Sequence, residues 1–300
     1  SLPAQVAVPG RLTVTVTVAA SAPEGDTSGY LRLSGTANRR IAFWLRVTQP
    51  RLSGHTPVAL ARQGVHAGTT LGKPSLVSRY RYPDSGPALG VPTVLSGPEQ
   101  VFRVRIRGNV ANFGVVVLSK DDGVDVHPRV VAAGDENRLT GMPGLPVDLN
   151  PYRNEFGAPT PVAGAIRPAP GLYDIVFDTP SRAKSGSFTF RYWVNDQTPP
   201  TVRLTTPSVT AGPKSTLELS VTDAGAGVDP RALVVKVDDT QMDTTYDEAS
   251  GKVVVEIPLV DAGKHTLHVS AADWQETRNM ENVPAILPNT RIFTAAFTAR

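Results

Sequence analysis

Apolar and polar residues alternate along much of this chain with the period of a β-strand. Residues 11–18, RLTVTVTV, send Leu12, Val14, Val16 and Val18 to one side with threonines between them, the pattern of a half-buried strand. YLRL and IAFWLRV flank SGTAN as a hairpin. From 51 to 195 the same period marks QVFRVRIRG, FGVVVLS, VHPRVVAA, GLYDIVFDT and GSFTFRYWVN. After NDQTPP it marks TLELSVTD, ALVVKVDD, KVVVEIPL, KHTLHVSAAD and RIFTAAFTAR. No segment keeps a helical period over eleven or more residues. The pattern predicts an all-β protein of tandem β-sandwich modules.

Boundaries follow from breaks in that pattern. Pro50 cannot donate to a ladder and suits a domain exit, and the polar cluster with two prolines at 195–200 reads as a short stiff linker. The divisions are 1–50, 51–195 and 196–300. The first has too few strands to close a sandwich, so it is truncated or leans on a neighbour. The last has the strand spacing of an Ig-like sandwich. The loop 138–170 is long for a compact domain and reads as a functional segment or a covering flap.

Composition narrows the chemistry. Gly 26 and Pro 27 agree with frequent turns. Cysteine is absent, which removes disulfides, zinc–thiolate sites and a thiol nucleophile, and leaves the compartment open. No apolar run reaches the roughly 18 residues of a membrane helix, and Ser1 opens no signal peptide. Charge is unevenly spread. Between 30 and 110 twelve Lys/Arg meet only Asp84 and Glu99, whereas from Asp196 onward nine meet fourteen acids. A basic first part and an acidic last part imply units with different surfaces.

Four groups of residues are candidates for chemistry. Arg40, Trp44 and Arg46 share a strand face that ought to meet water, and Tyr30 joins them if the hairpin pairs it with Trp44. An aromatic pair framed by arginines, in a unit too small to stand alone, reads as a module seam rather than a ligand patch. Arg103, Arg105 and Arg107 form a row suited to an anionic partner, set against the plainer reading of a solvated face or cross-strand ion pairs. That strand has no interleaved stacking aromatics, so nucleic acid is not expected.

Asp196, Asp223, Asp229 and Asp273 fall at the linker and at strand ends. In Ig topology the start of the first strand, the B–C loop and the F–G loop share one end, and four hard oxygen donors there suit calcium, against the plainer reading that Asp and Gly are turn formers. His265 and His268, three apart, lie on opposite faces and cannot share a metal. DTSG at 26–29 and KDDGVD at 120–125 read as turns. The loop 138–170 offers Asp148, Asn150, Asn154 and Glu155 but no evident nucleophile, so an enzyme site there ranks last.

Several strings taken in order, GDTSGYLRLSGTANRRIAFWLRVTQPRL, GPEQVFRVRI, ANFGVVVLS, VVAAGDENRLTG, AGAIRPAPGLYDIVFDTPS, RYWVND and ETRNMENVPAILPNTR, resemble the region downstream of the catalytic domain in secreted subtilisin-like serine proteases of actinobacterial type. The resemblance covers nearly the whole chain. It implies a partial fibronectin-III-like unit, a jelly-roll-like sandwich and a bacterial Ig-like sandwich, in a protein that is secreted or at the cell surface. The serine context Gly-Thr-Ser-Met and the histidine context His-Gly-Thr of that family are both missing. None of the five histidines precedes Gly-Thr, so the family's activity transfers to no residue here.

The expectation is a non-catalytic accessory region. Its partner is the catalytic domain of the same polypeptide, together with protein substrate or cell-wall polymer. The alternative is an autonomous adhesion or anionic-polymer-binding module built on the basic first half.

Overall fold

The computed structural model describes residues 1–5, 10–77, 96–139, 161–275 and 289–300. Within them the chain is all-β, interrupted only by short 3-10 turns at Arg51–Gly54, Arg182–Lys184 and Pro230–Ala232. It divides into two compact units, Ser1–Pro50 and Arg51–Arg300. Most of 138–170, including Asp148, Asn150, Asn154 and Glu155, lies outside the described residues.

The first unit holds one two-stranded antiparallel sheet, β1 (Gly25–Leu33) and β2 (Arg39–Val47). Its register corrects one expectation. Tyr30 faces Ala42 and Trp44 faces Ser28, so the two aromatics are diagonal neighbours on one face and not a direct pair. The opposite face carries Phe43, whose ring lies where a Cβ on Gly29 would be, 2.9 Å away.

A second correction concerns 11–18. Among the described residues the segment belongs to no sheet, and Val14, Val16 and Val18 are exposed. Alternation makes a segment competent to be a strand, but a strand also needs an edge to pair with.

The second unit begins with a nine-stranded sandwich. Its strands are β3 (Val58–Ala59), β4 (Gly64–Thr69), β5 (Gln100–Ile106), β6 (Asn112–Lys120), β7 (His127–Ala132), β8 (Asp135–Leu139), β9 (Val162–Ile166), β10 (Gly171–Asp178) and β11 (Ser187–Val194). One sheet runs β4-β11-β6-β9 and the other β3-β5-β10-β7-β8. Without β3, which adds in parallel at an edge, the eight strands, of which only the consecutive β7 and β8 share a sheet, follow the two-Greek-key order of a jelly roll. Phe102, Phe113, Phe177, Phe188 and Phe190 fill the space between the sheets.

The outer face of the five-stranded sheet is covered by chain segments. Leu52 and Val77 pack there on Val101, Val131 and Val176. Buried carboxylates hold both segments down. Glu136 accepts from the main-chain N–H of Arg51 and Leu52, and Glu99 from those of Leu76 and Val77. Burial pushes the Glu99 carboxyl up to about 7, against the pull of those N–H donors, and the nearby Asp178 adds to the rise.

The final sandwich comprises β12 (Thr201–Leu204), β13 (Ser208–Val209), β14 (Gly212–Thr222), β15 (Val234–Val237), β16 (Thr240–Gln241), β17 (Asp243–Asp247), β18 (Lys252–Val260), β19 (Gly263–Ala272) and β20 (Thr290–Ala299). Its sheets run β12-β14-β18-β17 and β13-β20-β19-β15-β16. This is the A-B-E-D and A′-G-F-C-C′ arrangement of an Ig-like sandwich, with β13 parallel to the last strand. Alternate residues of β14, β18 and β19 make its core, including Leu217, Leu219, Val255, Ile257 and Leu267.

The two sandwiches share an apolar seam. Phe113, Val115 and Val117 of β6 point into the jelly-roll core, while Val116 and Leu118 point outward to meet Trp193 of β11 and Val162 of β9. Ala226 and Trp274, from two loops of the Ig-like sandwich, close over them. The seam explains why FGVVVLS is an unbroken apolar run, because both faces of that strand are covered.

Candidate functional site at the sandwich seam

The seam has a polar side, assembled from three loops at one end of the Ig-like sandwich. Asp196 comes from the linker, Asp223 from the start of the β14–β15 loop, and Asp273 from the end of β19. One carboxylate oxygen from each lies within 4.8 Å of the other two. Topology brings them together, because the beginning of strand A and the B–C and F–G loops are neighbours in this fold.

Each carboxylate is anchored locally. Asp196 Oδ1 accepts from the Thr198 N–H at 3.2 Å and Oδ2 from that of Ala226 at 2.6 Å. Asp223 Oδ1 accepts from the N–H groups of Gly225 (2.9 Å) and Gly227 (2.7 Å). Asp273 Oδ2 accepts from the Asn289 amide at 2.6 Å. Asn112 of β6 clasps the linker from the jelly-roll side, its Oδ1 accepting from the Asp196 N–H and its amide donating to the Asp196 carbonyl. The linker is therefore part of the joint.

Two glycines make room for this. A Cβ on Gly225 would sit 2.2 Å from Asp196 Oδ2, and Gly227 has a φ of +85° with the Arg191 side chain 3.0 Å from its missing Cβ. Arg191 projects from β11 toward the acidic group. It lowers the Asp223 carboxyl and lies 3.8 Å from Glu248, reaching from the jelly roll to the Ig-like sandwich.

Burial is the larger influence on Asp223 and raises its carboxyl, and Asp196 raises it further. Ionised together, the three carboxylates would outnumber the single nearby guanidinium, which Glu248 also shares, by at least two charges. Each close pair of like charges costs on the order of 3 kcal/mol at the effective dielectric of a protein surface. A proton on Asp223 relieves this, and so does a divalent cation. The donor set of hard oxygens with a glycine-lined cradle fits calcium by its chemistry.

Asp229 stands outside the cluster, a correction to the four-residue set. It follows a glycine turn, and its Oδ1 accepts from the Arg231 N–H at 3.0 Å to cap the 3-10 turn Pro230–Ala232. It also pairs with Arg231 Nε at 3.3 Å, and the Arg231 guanidinium lies over the Trp274 ring at 5.2 Å. Asp229 thus supports the apolar side of the seam. Sequence reasoning missed Asn112, Arg191 and Asn289. The shared parity of Arg191 and Trp193 beside the linker is a signal that could have found Arg191, and the two asparagines carry no such signal.

The arginine row is divided. Arg103 meets Asp174, its partner across the β5–β10 ladder, through Nε–Oδ1 at 2.7 Å and Nη2–Oδ2 at 2.8 Å. Arg105 and Arg107 are exposed, the latter beyond the strand end. His265 and His268 do not meet. His265 takes Asp238 and the Asp261 carbonyl, and His268 takes Thr294.

In the first unit Tyr30 is 62% and Trp44 63% exposed, so nothing within that unit covers the face read as a seam. Arg40 lies over the Tyr30 ring and Arg46 over the Trp44 ring, each at 5.6 Å. Arg46 also forks onto Asp26, at 2.6 and 2.9 Å.

No family model matches the chain, and no curated protein matches it. Among solved structures it is similar to a polysaccharide lyase, with 11% identity over 91% of this chain and 39% of that one, at a TM-score of 0.23. The chain spans about two fifths of that protein's length, and a superposition this loose carries no argument. No helix among the described residues is long and apolar enough to cross a membrane.

Proposed function

We propose that this chain is the non-catalytic accessory region of a secreted subtilisin-like serine endopeptidase, a strut that supports the catalytic domain and presents it to substrate or cell surface. The sequence resemblance motivates this reading. The observation that carries it is the seam, where Trp193 is fully buried and the linker is clasped by Asn112. Such a joint turns two sandwiches into one stiff body, which is what a support requires and a string of independent adhesion modules does not. Four of the five histidines are engaged in structural pairs: His66 with the Arg62 carbonyl, His127 with Asp125, His265 with Asp238 and His268 with Thr294. Incubation of the purified chain with casein and with a fluorophosphonate probe is expected to give neither cleavage nor labelling. Covalent labelling of any serine overturns the reading.

In the same proposal the Asp196–Asp223–Asp273 centre takes calcium, which stiffens the joint in a calcium-rich extracellular medium. Support comes from the oxygen donors within 4.8 Å, the charge excess and the glycine cradle. Millimolar calcium is expected to raise the melting temperature above that in chelator. The Asp223→Asn variant keeps an acceptor for both glycine N–H groups, so it should retain the chelated melting temperature and lose the calcium increment. A melting temperature indifferent to calcium in the unaltered protein removes the site and leaves the strut.

A further inference from the structure

The exposed face of the β1–β2 hairpin has an order that neither a core nor an ordinary solvated surface needs. Along the ladder the facing pairs are Asp26–Arg46, Ser28–Trp44, Tyr30–Ala42 and Arg32–Arg40. Each aromatic stands opposite a small residue on the other strand and carries one guanidinium over its ring, Arg40 on Tyr30 and Arg46 on Trp44, with the rest of the ring open to a ligand. The two aromatics are diagonal neighbours on this face. Both are more than three-fifths exposed, where large apolar side chains rimmed by charge mark interaction sites.

The charges on this face are arranged unequally. At one end Arg46 is matched by Asp26 in a forked pair. At the other end Arg32 and Arg40 stand directly opposite each other, an arrangement that weakens a two-stranded sheet through like-charge repulsion. Among the described residues neither forms an ion pair with a carboxylate. That end holds two guanidinium forks suited to an anion, as Asp26 suits Arg46.

Charge spacing favours one kind of polymer. Arg40 and Arg46 are six residues apart on β2, about 20 Å at about 3.4 Å per residue, with only uncharged side chains between them on this face. Nucleic acid carries a phosphate at each nucleotide and would hold several over that neutral stretch. A glycan with widely spaced carboxylates would lay neutral sugar rings on Tyr30 and Trp44 and bring one carboxylate to the paired arginines. We propose that this hairpin face binds an acidic glycan of the uronate class, with Tyr30 and Trp44 as the stacking platform and Arg32 with Arg40 as the anion clamp.

Trp44 provides the signal for the test, because Trp193 and Trp274 are buried and only Trp44 is open to a quencher or ligand. Titration of the full chain with hyaluronan oligosaccharides, which alternate a uronate with a neutral sugar, should change tryptophan fluorescence saturably. Neutral cello-oligosaccharides of the same length should bind at least ten-fold more weakly. Trp44→Ala and the double variant Arg32→Ala/Arg40→Ala, followed by affinity electrophoresis, should each lose at least ten-fold in affinity. These side chains are exposed, so circular dichroism should be unchanged. Absence of hyaluronan binding, or binding that survives both variants, overturns the proposal. Tighter binding of a thymidine oligonucleotide of equal charge also overturns it and makes the face a nucleic-acid site.

Discussion

Gly114 on β6 has no side chain because the Trp193 indole occupies that space, with Cζ2 2.4 Å from where a Cβ would be. The register places them directly opposite on β6 and β11. A ring this large fits flat on the sheet only over a residue with no side chain. Gly114→Ala is therefore expected to cost about 1–3 kcal/mol by displacing a fully buried tryptophan. Thermal denaturation checks this, and an unchanged melting temperature would mean that the seam has slack the close contact denies. The same register explains Arg103. Its place in an Arg-Val-Arg-Ile-Arg run is visible from the chain alone, but its partner Asp174 is 71 residues away, nearly fully buried, and also accepts from the Gly134 N–H. Where a charged side chain ends up depends on the strand laid beside it.

Single elements act through the segments they hold. Glu99 sits just before β5 and ties down Leu76 and Val77 with its carboxylate. Burial raises this group to about 7, so the folded state holds the proton more tightly than the unfolded chain, whose carboxyl titrates near 4.5. The sign follows by linkage. Stability from this group is greatest below about 4.5 and falls as pH rises toward about 7, where the folded state must carry a buried negative charge. Denaturant midpoints of Glu99→Gln, compared with the unaltered protein across pH 4 to 8, should show this part of the slope removed. Parallel curves would place the charge in solvent. His265 has the same sense, with its proton held by partners rather than by burial. Asp238 and the Asp261 carbonyl raise it, so its contribution is present below about 6.5 and lost as pH rises through its higher folded value. Asp238 is half exposed, which keeps that contribution under about 1 kcal/mol.

For the whole molecule the joint between sandwiches determines behaviour. Trp193, Val116, Val162, Ala226 and Trp274 make a small apolar cluster separate from both cores, and the linker carbonyl of Asp196 is bonded from both sides, by Asn112 and Asn289. Two sandwiches coupled in this way should melt together. Trp193→Ala removes the largest side chain in the cluster, at a cost of about 3–5 kcal/mol for such a truncation. Scanning calorimetry should then resolve two transitions in place of one, and limited proteolysis should cut at 195–200. A single unshifted transition in the variant would show that the polar clasp alone couples the sandwiches.

What was legible in the sequence follows from local physics. The period-2 alternation in β5, β14, β18 and β20 marks strands because only one face of each is apolar. The prolines after Asn195 mark a boundary because they cannot join a ladder. Asp196, Asp223 and Asp273 could be grouped in advance because Ig topology gathers the same loops at one end whatever their sequences. The short strands β4, β8 and β9 escaped notice, since Gly, Ala and charged residues dominate them and pairing with neighbours defines them. Residues 11–18 erred in the other direction, with ideal alternation and, among the described residues, no sheet to join beyond the bonds between Thr15 and Ser1. The hairpin register, the turn of Asp229 toward Arg231, the pairing of Arg103 with buried Asp174 and the seam over β6 were all decided by tertiary structure. In each case the energy comes from a partner far along the chain, and local pattern states only that a residue wants burial or a counter-charge, while the fold determines which surface provides it.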